Sequence, residues 1–290
     1  MPHESVLMID TCSDLPASLV DDLGVEVVRF PYVMDGVEHA DDFGRSQSHA
    51  EFYAAMRAGI RPSTTQVPRQ VFLDIFRKHA EAGRPLLYLA FSSALSGTFD
   101  IAWVAREEVL AEYPGAEIRL VDTRAASVAE GLLVYEAARR WRDGMPLADL
   151  EAWVLAERPR LSGWFVIDDL DTLARGGRLS GTAAAAGTLL DVKPLLHVTD
   201  DGRLEVRRRL RGRHKSMRAL ADLVAERAHE PSAQTIALAH GDCPDDLARL
   251  RELIAERVDV ADIITMDVGP VIGAHTGPGM LAVVFWGEAQ

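Results

Sequence analysis

Three serines cluster where an apolar run ends: Leu86-Leu87-Tyr88-Leu89-Ala90-Phe91 leads into Ser92 and Ser93, with Ser96 three residues on. Hydroxyls donate to an anionic group without adding a charge that needs its own partner. A second hydroxyl pair, Thr64-Thr65, and the run Gly273-Ala274-His275-Thr276-Gly277 carry the other candidates for polar recognition. Cationic candidates are Arg175 and Arg178, which flank two glycines, and Arg207 and Arg209 in an arginine-rich stretch. A hydrolytic reading would join Ser93 and His275 with an aspartate. The surroundings Phe91-Ser92-Ser93-Ala94-Leu95 lack the GxSxG turn that exposes such a nucleophile.

The elements that must position these groups alternate short apolar runs with helical patterns, the signature of an α/β fold. The run before the serines reads as a central parallel strand buried on both faces, and open α/β sheets bind ligands at the carboxyl ends of such strands. Beyond Gly97, Phe99, Ala102, Trp103, Arg106, Val109 and Leu110 form a helical stripe, so the hydroxyls stand beside a helix N-terminus that favours an anion. Other predicted strands are Ser5–Asp10, Val25–Val33, Ile118–Val121, Gly163–Ile167, Pro194–Thr199, Leu204–Leu210, Thr235–Ala239, Ile263–Asp267 and Leu281–Phe285. Helices are predicted over Pro68–Ala82, Val128–Arg142, His214–His229 and Asp245–Val258, and Ala183–Ala186 reads as a tightly packed helical segment. Asp35-Gly36 and Asp201-Gly202 predict hairpin turns, so the sheets are mixed in part. A boundary near Arg158-Pro159-Arg160 divides the chain into residues 1–160 and 161–290.

Composition narrows the function. The 290 residues suffice for two domains, and a formal charge of −13 argues against nucleic-acid binding. Cys12 and Cys243 have no metal-ligand spacing and are expected as free thiols in a cytoplasmic protein. The N-terminus lacks signal-peptide character, and no apolar run approaches the ~20 residues that span a bilayer. No GxxxxGK[ST] or GxGxxG pattern is present, so a nucleotide would have to arrive on another chain. Asp10, Asp14, Asp41, Asp42 and Asp122 have no spacing that demands a metal, and Asp14, ahead of Leu15-Pro16, is expected to cap a helix.

Five segments taken together resemble the DegV family of bacterial fatty-acid-binding proteins. They are Asp10-Thr11-Cys12-Ser13-Asp14, Pro62-Ser63-Thr64-Thr65-Gln66, the serine turn, Arg175-Gly176-Gly177-Arg178, and Gly269 to Gly279 around His275. Phe165-Val166-Ile167, Lys193-Pro194-Leu195-Leu196 and Arg209–Lys215 add to the likeness, which runs from about Val6 to Phe285. Two departures occur: Thr64-Thr65-Gln66-Val67 replaces the usual Thr-Ser-Gln-Pro, and Asp10-Thr11 replaces Asp-Ser. Hydroxyls survive in both.

The resemblance implies two α/β domains, a mainly parallel N-terminal sheet and a mixed C-terminal one, with a long-chain fatty acid buried between them. It further implies a lipid-carrying subunit of a fatty-acid kinase, whose separate ATP-binding subunit forms an acyl phosphate for phospholipid synthesis. No metal or cofactor is implied. Burying ~15 methylenes at ~0.8 kcal/mol each supplies an upper bound of about 12 kcal/mol before binding costs. The carboxylate must be hydrogen-bonded where it is buried. Ser93 with Thr65 or Thr64 is expected to hold it, while Ser92 and Ser96 either join them or satisfy the turn's backbone.

His275, in a loop, is expected near the head group, with Gly273, Thr276 and Gly277 shaping close approach of the backbone. Arg178 is expected near the phosphoryl group or on the docking face, or else Arg175 and Arg178 simply follow a glycine helix stop. Arg203–Arg218 carries eight basic residues and one acid, Glu205. Arg207 and Arg209 point outward there, toward solvent, an acidic partner or a membrane surface. A ligand-responsive regulator is the remaining alternative.

Overall fold

The computed structural model describes residues 4–168, 170–179 and 192–288; the expected helical segment Ala183–Ala186 lies outside the described residues. The N-terminal half contains β1 (Val6–Asp10), α1 (Ala17–Leu23), β2 (Glu26–Val28), β3 (Pro31–Met34), β4 (Val37–Ala40), α2 (His49–Arg57), β5 (Ser63–Thr64) and α3 (Arg69–Glu81). It continues with β6 (Leu86–Ala90), α4 (Thr98–Glu112), β7 (Ile118–Asp122), α5 (Val128–Arg142) and α6 (Leu147–Glu157). After a tight turn at Arg158–Arg160 come β8 (Leu161–Val166), α7 (Asp171–Arg175), β9 (Val192–Val198), β10 (Leu204–Arg211) and α8 (Arg213–Arg227). The last elements are β11 (Thr235–His240), α9 (Pro244–Ala255), β12 (Asp262–Asp267), α10 (Pro270–Thr276) and β13 (Leu281–Trp286).

Before the turn, β2-β1-β6-β7 form a wholly parallel sheet. Leu86–Ala90 lies inside it, buried along its whole length, as an unbroken apolar run requires when helices cover both faces. After the turn, β10-β9-β8-β13-β11-β12 form a mixed sheet, antiparallel except for the β11–β12 pair. Strand alternation sorts its side chains into two cores. Trp164, Val166, Leu281, Val283 and Phe285 pack toward α8 and α9, whereas Phe165, Ala282, Val284, Ala237 and Ala239 face the larger core shared with the parallel sheet. Helix α5 lies between the sheets, touching β1 on one side and β8, β11 and β13 on the other.

A third, small sheet orders β4-β3-β5 and corrects the expected strand Val25–Val33. That segment breaks in two where Phe30 N–H donates to Thr11 Oγ1 instead of a neighbouring strand and Pro31 has no N–H to donate. The chain then turns back at Asp35-Gly36, both at positive φ, as a two-residue hairpin demands. Val33 and Tyr32 pair with Ser63 and Thr64, so β5 is anchored by tertiary pairing that a two-residue strand leaves no trace of in sequence.

Candidate functional site

Between the two larger sheets lies a cavity of about 910 Å³, counting solvent-open space at its mouth. Its lining is mixed. Thr64, Thr65, Gln66, Ser96, Arg178 and His275 supply polar groups, and Ala129, Gly163, Val198 and Val284 form an apolar wall; Ser127 also lines the cavity, its hydroxyl bonded to Asp14. Phe30, Phe91, Leu95 and Leu173 add to the apolar lining. Thr65 and Gln66 are exposed, which places the mouth at the polar end.

The polar end is assembled from segments far apart in the chain. Thr64 is held by its pairing with Tyr32, and its Oγ1 lies 2.8 Å from His275 Nε2. His275 belongs to α10, not to the expected loop. Pro270 opens that helix and Gly277, at φ 74°, ends it. Gly273 in its middle costs helix propensity, but a Cβ there would stand 2.7 Å from the Tyr53 hydroxyl and 2.9 Å from Phe52. Gly273 therefore serves helix packing and not ligand approach. Thr276 lines the cavity while its hydroxyl donates to Ile272 O; Gly277 is not among the lining residues.

Burial pushes His275 down to about 4, with the Arg178 charge adding to the effect, so the imidazole is neutral near pH 7. Its Nδ1 is buried without a hydrogen-bond partner and faces Gly176, where a Cβ would come within 2.3 Å. Two of the five motifs thus meet face to face: the Gly176-Gly177 turn makes room for the histidine ring. Arg178 Nε donates to Leu95 O at 3.1 Å and Arg178 Nη1 to Gly176 O, so the guanidinium spans from this turn to the serine segment. Arg175 points away, exposed, with Nη2 donating to Thr172 Oγ1 at 3.3 Å.

The serines separate. Ser96 lines the cavity, accepts from Thr98 N–H at 3.2 Å and donates to Thr98 Oγ1, capping the start of α4. Ser92 is fully buried, and its hydroxyl donates to Gly202 O at 2.9 Å, docking the second hairpin against the parallel sheet. Ser93 corrects the main expectation. It is exposed, its hydroxyl donates to Asp122 Oδ2 at 2.6 Å, and it does not line the cavity. Of the three serines, only Ser96 lines the cavity. Ser93 and His275 are bonded to different partners, and the nucleophile–base contact of a hydrolase is not formed.

The aspartates also have structural work. Asp10 accepts from Cys12 N–H, Phe91 N–H and the Tyr88 hydroxyl, yet burial holds it up at about 6. Asp14 does not cap α1, whose start at Pro16 has no side-chain cap. Its carboxyl instead accepts from Ser127 Oγ at 2.5 Å and from Gly269 N–H at 2.9 Å, tying the start of α5 to the start of α10. Among the described residues, no three His, Cys, Asp or Glu side chains are grouped to hold a metal ion. Sequence reasoning missed this clasp, and missed Gln66, Ala129, Gly163 and Val284 as lining residues, because apolar and amide side chains carry no motif until the sheets are stacked.

Arg207 and Arg209 stand on β10, the edge strand of the mixed sheet, both exposed; Arg207 pairs with Glu205 at 3.0 Å. A shift in register between Val206 and Arg208 interrupts the strict alternation there. Neither arginine lines the cavity. Cys12 is buried and Cys243 half-buried, both as free thiols. Among the described residues no helix is long and apolar enough to cross a membrane.

The family model described as "Uncharacterised protein, DegV family COG1307" matches residues 5–288. The chain belongs to the DegV family. A DegV domain-containing protein of Clostridium perfringens is 43% identical over 285 residues, 98% of each chain. One from Streptococcus pyogenes serotype M1 is 36% identical over 97% of this chain and 98% of its own. Among solved structures, a DegV family protein from Thermus thermophilus, described by its fatty-acid binding, is 30% identical with a TM-score of 0.86 over 98% of this chain and 99% of that one. A DegV lipid-binding protein from Thermotoga maritima is 25% identical, also with a TM-score of 0.86, over 99% and 100%. The α/β fold expected from the DegV resemblance, with a parallel and a mixed sheet, is the fold of these proteins.

Proposed function

We propose that this chain binds one long-chain fatty acid in the cavity between its sheets and presents the carboxylate to a separate ATP-dependent kinase subunit. The observation that carries the reading is the contrast within the lining, polar at the exposed Thr65–Gln66 mouth and apolar at the Gly163–Val284 wall. An amphiphile with one polar end matches such a lining. The relatives from Thermus thermophilus and Thermotoga maritima, described as fatty-acid and lipid binding, support the same ligand class. In this reading the Thr64 and Thr65 hydroxyls donate to the carboxylate, His275 Nε2 orients the Thr64 hydroxyl by donating to it, and Arg178 offsets the charge. Residues 1–160 carry most of the head-group site and residues 161–290 close the acyl tunnel.

The carboxylate at an open mouth suits presentation to a second protein, and the sequence has no phosphate-binding loop of its own. Acyl-phosphate formation on a partner, feeding phospholipid synthesis in the cytoplasm, is the role we assign. Arg207 and Arg209 on the edge strand are placed to meet an acidic docking face or, transiently, anionic headgroups.

Mass spectrometry of the purified protein, native and then denatured, tests the ligand. A co-purifying long-chain acid with one-to-one stoichiometry is the expected result; no acid, and no thermal shift with added hexadecanoic acid, overturns it. Reconstitution with a fatty-acid kinase ATP-binding subunit tests presentation. Arg209→Glu should then lower acyl-phosphate formation while leaving acid binding intact.

A further inference from the structure

The apolar end of the cavity is ordered by strand register. Phe165 pairs with Ala282 and Gly163 with Val284, so cavity-facing residues fall in transverse rows across β8 and β13. Along β13 the lining begins at Met280, beside α10, and passes through Ala282 to Val284. Four residues of antiparallel strand span about 14 Å. Gly163 and Val284 form the last of these rows, and neither Leu161 nor Trp286, beyond them, lines the cavity.

At that row the helix α5 comes down on the sheet. A Cβ on Gly163 would lie 3.3 Å from the Ala129 methyl and 3.5 Å from Val198 Cγ2, both themselves lining residues. One added methyl therefore fills the gap between helix and sheet, and a branched side chain must project along the cavity instead. We infer that Gly163 sets the length of acyl chain this protein accepts: its bare Cα lets Ala129 and Val198 close the end wall where they stand, and any larger side chain there must project into the space the terminal methylenes occupy. The inference rests on the fatty-acid reading above and deepens it. The polar end is untouched by this residue, so the acid's head group and the far wall are separable: a change at Gly163 acts on long chains and spares short ones.

The test compares dodecanoic, hexadecanoic and octadecanoic acids against the full-length wild type, Gly163→Ala and Gly163→Val by calorimetry on delipidated protein. Gly163→Val should lose about tenfold or more in octadecanoic acid affinity while dodecanoic acid binding stays within about threefold, since one methylene is worth ~10–200-fold in an apolar pocket. Gly163→Ala should show the same ordering in weaker form and serves alone where the valine variant does not fold. Retained dodecanoic acid binding doubles as the check that the cavity is intact. A loss equal at all three lengths, or no loss at any, overturns the assignment of Gly163 while leaving fatty-acid binding standing. Failure of the wild-type chain to bind any of the three overturns the parent reading and this inference with it.

Discussion

Thr64 Oγ1 and His275 Nε2 lie 2.8 Å apart although 211 residues separate them in the chain. The contact joins the small sheet of the N-terminal half to the helix that precedes the last strand, and it stands at the polar end of the cavity. Because the imidazole is neutral, one partner donates and the other accepts, and together they offer a directed hydrogen bond without a buried charge.

Thr64→Val keeps the shape and removes the hydroxyl. Affinity for hexadecanoic acid should fall about tenfold, the scale of one hydrogen bond to a charged group, with Thr64→Ser restoring most of it. Titration calorimetry reads both, and unchanged binding by the valine variant removes Thr64 from the head-group site.

Ser93→Ala and Thr65→Ala should differ. Ser93 is exposed on the Asp122 side of its turn, so its loss should leave acid affinity within about twofold. Thr65 lines the mouth, and its loss should weaken binding several-fold, at the ~1 kcal/mol scale of a net hydrogen bond. Equal effects of the two substitutions in a fluorescent fatty-acid displacement assay contradict this division.

Gly176→Ala forces a methyl against His275 Nδ1. Overpacking of this kind costs about 1–3 kcal/mol, and here it also displaces the Thr64 partner. Both a lower melting temperature and weaker acid binding are expected. A variant as stable as wild type shows that the ring yields without cost.

Acidification should destabilise the protein through His275. The folded imidazole titrates at about 4 and the unfolded one near 6.5. Between those values the unfolded chain holds a proton that the folded chain lacks, so stability falls as pH drops from 6.5 toward 4 and this contribution then levels off. Asp10 runs the other way: its folded value of about 6 exceeds 3.8, so the stability it contributes is full below 3.8 and lost as pH rises through 6. Melting curves of wild type and His275→Gln across this range isolate the His275 contribution, because His197, also held down to about 4 by burial, contributes to both while only the wild type adds the His275 slope. Parallel pH profiles sink the prediction.

Much of the fold was legible in order. The unbroken run Leu86–Ala90 announced a central buried strand, and Asp35-Gly36 and Asp201-Gly202 announced hairpins, because burial on two faces and positive φ constrain residue type locally. The helix Val128–Arg142 coincides with its sequence pattern for the same reason. The strand β5 escaped notice because its two residues owe their conformation to Tyr32 and Val33, not to themselves.

For the site, the sequence by itself supplied the candidates, hydroxyls at Thr64, Thr65, Ser92, Ser93 and Ser96, an imidazole at 275 and an arginine at 178, and the family to which their order belongs. Tertiary structure alone decided who stands where. It sent Ser93 to Asp122 and Ser92 to Gly202, wound His275 into a helix against Gly176, and brought Gly163 against Ala129 of α5. Residue type sets which bonds a side chain is able to make. Direction, and the room left by an absent side chain, arise only when two sheets and the helix between them are packed to density.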